Sequence, residues 1–78
     1  MTNQKIMTKA QFISHVRHGG KVVFEAEDGL HTVTKAIAPG YYAVDDKEIP
    51  HTLQGITTWF GAYHTQYGEA VFFPVEVL

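Results

Sequence analysis

An Asp-Gly pair at 28–29 stands between two β-like runs, 21–27 and 30–38, and constrains this chain more than any other feature. A type I′ turn needs positive φ at both central residues, and Asp-Gly supplies that with little strain. The middle of the chain is therefore expected to form an antiparallel hairpin. With Asp28-Gly29 as its loop, Phe24 faces Val33, Val22 faces Lys35 and Ala26 faces His31. On the reverse side Val23 meets Thr34 and Glu25 meets Thr32. One face is mainly apolar and the other mainly polar, the pattern of a sheet covered on one side only.

Helices on either side can supply that cover. Thr8 and Gln11 have the spacing of a capping box, and Met7 and Phe12 stand at the positions of a hydrophobic staple. They predict a helix over 9–18 that stops at Gly19-Gly20, where glycine accepts a left-handed backbone. Phe12, Ile13 and Val16 share one arc of that helix, while His15 and His18 project away from it into solvent. Downstream, Leu53, Ile56, Phe60, Tyr63 and Tyr67 recur at steps of three and four, with Trp59 on the flank. A second helix is predicted from the cap Thr52 to the terminator Gly68, although Gly55 and Gly61 each cost about 1 kcal/mol relative to alanine.

Two further strands complete the reading. Pro39-Gly40 favours a type II turn, and a short strand over 41–44 follows it. Pairing Ala38 with Tyr41 puts Tyr42 and Val44 on the Phe24 face, and a charged turn at 45–48 ends the strand. The last run, 70–78, alternates Val71, Phe73, Val75 and Val77 on one face, and Pro74 places it at an edge or a bulge. The expected fold is α+β: a single two-layer domain in the order α-β-β-β-α-β, an antiparallel four-stranded sheet with two helices on one face. The domain is read as 8–78, preceded by a flexible tail over 1–7.

Seventy-eight residues hold one core and no more. Without cysteine the chain has no disulfide framework and no thiol chemistry, which fits the cytoplasm. It has no secretory leader pattern and no apolar run long enough for a membrane helix. Six basic and eight acidic residues leave a net charge of −2, too balanced for a strongly basic nucleic-acid binder.

Catalytic signatures are missing. The only serine, Ser14, is placed mid-helix, and the glycines form neither a phosphate-binding loop nor a dinucleotide fingerprint. No catalytic residue, cofactor or metal site is assigned, and the chain is read as not an enzyme. His15 and His18 have the spacing of a helical metal pair but no third ligand nearby. Asp45, Asp46, Glu48 and His51 form the one dense polar cluster, without the alternating acids of a calcium loop. Protonating all five histidines would take the net charge from −2 to +3, which motivates a pH-dependent interaction.

Interaction with a larger protein is the expected role. Ten aromatic residues exceed what two helix–sheet contacts need, and partly exposed aromatics are common interface anchors. Trp59 lies on the flank of its helix, and Tyr41 and Phe72 are placed on the sheet face away from the helices. These three are the candidate protein-binding residues. The alternative is a nucleic-acid-associated accessory protein using Lys9, Arg17, His18 and Lys21 around the first helix. A homodimer through the final strand is a further candidate assembly. Small regulatory domains of this kind occur among accessory proteins of phages and mobile elements, including inhibitors of host systems.

Overall fold

A computed structural model describes residues 6–78. The elements run α1 (Lys9–Arg17), β1 (Val22–Ala26), β2 (Gly29–Lys35), β3 (Tyr42–Val44), α2 (Leu53–Phe60), β4 (Gly61–His64), β5 (Glu69–Phe72) and β6 (Glu76–Val77). The main sheet is antiparallel and four-stranded in the order β3-β2-β1-β6, and β4 and β5 form a separate hairpin. The α+β domain has both helices on the same face of the main sheet.

Helix α1 begins as its sequence dictates. The Thr8 hydroxyl accepts from the Gln11 backbone N–H at 3.2 Å, and the Gln11 amide oxygen accepts from the Thr8 N–H at 3.0 Å. Met7, the last residue of the expected tail, is buried and exchanges two backbone hydrogen bonds of 2.8 Å with Phe72. Met7 is therefore packed into the domain, while 1–5 lie outside the described residues. The core is aromatic and centres on Phe12, whose ring lies 4.6 Å from Phe72, 5.3 Å from Tyr42 and 6.2 Å from Phe24. Val16, Val22, Val33, Val44 and Ile56 close around these rings.

The β1–β2 register differs from expectation by two residues. Val22 pairs with Val33, Phe24 with His31 and Ala26 with Gly29. Glu27 and Asp28 make the turn at negative φ, and Gly29 closes it at φ 123°. A type I turn followed by a positive-φ glycine is the other common way to close a tight hairpin. A shift of two leaves every side chain on its original face, so the apolar face survives. Strand β3 shifts in the same way: Lys35 pairs with Tyr42 and Val33 with Val44. The Pro39-Gly40 turn has the expected form, with Gly40 at φ 84° and the Tyr41 N–H bonded to the Ala38 carbonyl.

Two larger corrections concern the second half. Helix α2 ends at Phe60, not Tyr67, because Gly61 leaves the helix in an extended conformation (φ −84°, ψ 160°). A β-carbon at Gly61 would come within 2.6 Å of the Thr57 carbonyl oxygen, so glycine allows the chain to turn sharply there. Residues 61–72 fold back as the β4–β5 hairpin, with Gly68 in its turn at φ 67°. The final run is likewise two strands. Pro74 has no N–H to continue the β5 ladder; beyond it the Val75 N–H bonds the Val23 carbonyl at 2.8 Å and β6 pairs with β1.

Candidate functional site

Two clusters of side chains stand at opposite ends of β2. Lys35 lies four positions after His31, about 13 Å along the strand.

At the Lys35 end, the loop from Ala36 to Tyr41 leans over the second half of α1 and leaves a groove of about 370 Å³. Ile13, Val16 and Tyr42 line its α1 and β3 side; Ala36, Ile37, Pro39, Gly40 and Tyr41 form the loop side. Arg17 and Lys35 are the only charged residues lining it. Neither makes an ion pair among the described residues. Burial raises the Tyr42 pKa, and the positive charge of Arg17 partly opposes it. Ile37 is 100% exposed and Tyr41 42% exposed. An isoleucine bared to water beside an apolar hollow is unusual for a residue type that is among the most often buried.

At the other end, His31 lies between two carboxylates. Its Nδ1 donates to Asp45 Oδ2 at 2.6 Å and its Nε2 to Asp28 Oδ1 at 2.8 Å. Ionised carboxylates only accept, so the arrangement favours the imidazolium form, in which both ring nitrogens donate. These hydrogen bonds, Asp28 first and Asp45 second, raise the His31 pKa. His31 in turn lowers the Asp28 pKa, and Asp45 is lowered first by the Thr32 N–H and then by His31. Asp45 and Asp46 both hold left-handed backbone, φ 56° and 60°. This strain is offset by Asp45, whose Oδ1 accepts from the Thr32 N–H at 2.9 Å. Trp59 covers the ring at 5.1 Å and stacks on Phe60 at 4.6 Å. A histidine with both nitrogens committed has no lone pair to act as a base, so this His-Asp arrangement is a clamp between strands.

Of the residues singled out in the sequence, Tyr41 lines the groove beside α1 rather than the bare sheet face. Trp59 keeps 44% of its surface exposed while serving as the lid over His31. Phe72 has no exposed surface at all and packs at a tilt against Phe12, so it is a core residue and not an interface anchor. The helix 1 cations do not converge. Lys9 and Arg17 stand at opposite ends of α1, about 12 Å apart at 1.5 Å per residue. The His18 ring donates back to the Ser14 carbonyl, and Lys21 follows the helix exit with its backbone paired to Leu78. His15 is also drawn inward: its Nε2 bonds the Leu78 carbonyl at 2.8 Å, and its ring fills the space a β-carbon at Gly20 would need.

Ile37 and Lys35 were missed because β2 was read through to Ala38, which hides a bared isoleucine inside a strand. The clamp was missed because Asp45 reaches His31 only across the β2–β3 pairing. Among the described residues no group of three or more histidine, aspartate or glutamate side chains is arranged to hold a metal ion. No helix there is long and apolar enough to cross a membrane. No family model, curated protein or solved structure matches this chain.

Proposed function

We propose that this chain is a non-enzymatic binding and regulatory protein that acts by occupying a surface of a larger protein partner. The observation that supports the reading is Ile37, fully exposed beside Tyr41 at the mouth of an apolar hollow. Exposing an isoleucine forgoes roughly 1.5–3 kcal/mol of burial free energy, which a partner recovers by covering it. A loop carrying an exposed aliphatic and a half-exposed aromatic side chain beside a hollow matches the anchor-and-pocket form of interface hot spots.

The nucleic-acid alternative draws less support, because Lys9 and Arg17 stand at opposite ends of α1 and the His18 ring is bonded to the Ser14 carbonyl. The role of a phage or mobile-element inhibitor rests on small size and the missing catalytic signature; no groove residue bears on it. A cytoplasmic site of action rests on the cysteine-free sequence.

The test is recovery of partners by the tagged chain from lysate of its source, with and without nuclease, for wild type, Ile37→Asp and Tyr41→Ala. The expected result is a stoichiometric protein that survives nuclease and is lost from both variants. Recovery that disappears with nuclease, or that both variants retain, would overturn this reading.

A further inference from the structure

The groove also constrains the chemistry of what enters it. Its two charged residues, Arg17 and Lys35, are both cationic, and no acid lines it. The chain as a whole carries more acid than base, with a net charge of −2, so the groove is a local inversion of charge. The hollow beside Trp59 and Phe60 has the opposite sign and is rimmed by Glu25, Glu27 and Asp28. Two cations and no acid lining a groove with an exposed aliphatic residue at its mouth favour a ligand that is apolar and anionic at neighbouring points. At about 370 Å³ the groove lies near the lower limit of ligand pockets, ~300–1,000 Å³, which suits a side chain or two rather than a folded element.

We propose that the groove takes an acidic segment of a partner protein, in which an aspartate or glutamate adjoins a large apolar side chain. The apolar side chain enters the hollow between Ile13, Ile37 and Tyr41, and the carboxylate meets Arg17 and Lys35. The inference rests on the protein-binding reading and supplies its partner's chemistry. A nucleic acid is the poorer occupant, because its affinity comes mainly from cations set against many phosphates, and this groove offers two. The aliphatic wall has no counterpart on a phosphate backbone, whereas it matches a leucine or phenylalanine side chain.

Selection of a displayed random-peptide library on the full chain tests this directly. The expected outcome is enrichment of peptides with aspartate or glutamate within two positions of leucine, isoleucine, phenylalanine or tryptophan. A synthetic peptide of the enriched type should bind at least tenfold more weakly to Arg17→Glu/Lys35→Glu and to Ile37→Asp. The milder Arg17→Gln/Lys35→Gln pair should weaken binding in the same direction, with far-ultraviolet circular dichroism unchanged in each variant. Enrichment of basic or uncharged peptides, or binding indifferent to these changes, would overturn the acidic-segment proposal while leaving protein binding in place. No enrichment, or tight binding of single-stranded DNA abolished by the same charge reversals, would overturn both.

Discussion

At the scale of single residues, the His31 clamp makes stability depend on pH in a defined direction. The His31 pKa is raised in the folded state, so its contribution is full below the ordinary 6.5 and is lost as pH climbs through the raised value. Asp28 and Asp45 are lowered, so their contribution is present above the ordinary 3.8 and is lost as acid carries them through the lowered values. All three charges are in place between those two ordinary values, and alkali releases the clamp from the histidine side. Thermal melts should give a lower midpoint at pH 8.5 than at pH 5.5 for wild type. In His31→Gln that difference should shrink, and an undiminished difference would mean that another group is responsible. The sequence shows Asp28 three residues from His31, but Asp45 becomes a partner only once β2 and β3 are paired. Half of the clamp is local in sequence and half is long-range, and neither half was read from the sequence.

At the scale of elements, legibility follows how local the deciding interaction is. Helix α1 was readable because its capping box and staple lie within six residues of one another. The hairpin was readable in its faces but not in its register, since Glu27-Asp28 and Asp28-Gly29 are both acceptable two-residue turns and differ only in which residues take positive φ. The second helix misled because Tyr63 and Tyr67 continue a helical period by coincidence; the structure leaves them 68% and 41% exposed. The signal against that helix was Gly61, where a tight backbone approach outweighs the periodicity. Gly61→Ala should cost about 1–3 kcal/mol through the contact with the Thr57 carbonyl. At about 4–8 °C per kcal/mol for a domain of this size, the loss is measurable in a thermal melt. A midpoint unchanged within error would show that the helix-to-strand turn does not depend on glycine.

At the scale of the whole molecule, the fold depends on a few rings. A domain of 78 residues has a stability of roughly 4–12 kcal/mol, while truncating a buried phenylalanine costs about 3–5 kcal/mol. Phe72→Ala removes a ring packed against both Phe12 and Phe24, and should leave the chain close to unfolded at 37 °C in a urea titration. Ile37→Asp touches no core residue and should shift the midpoint by less than about 0.5 kcal/mol equivalent. Equal losses from the two would mean that Ile37 is packed and that the groove is misread. Strand β1 has a near neighbour in sequence on one side and a remote one on the other, since Val22 pairs with both Val33 and Val77. The first 60 residues hold both helices and three strands. They still lack Phe72, whose ring lies nearer Phe12 than those of Tyr42 and Phe24, and the strand that closes the β1 edge. Until residues 72–77 arrive, Val22 and Val23 lie on an open strand edge of the kind that other chains can extend. The interval before this last segment docks is when chaperone binding, or crowding by other copies of the chain, would act on this protein most strongly.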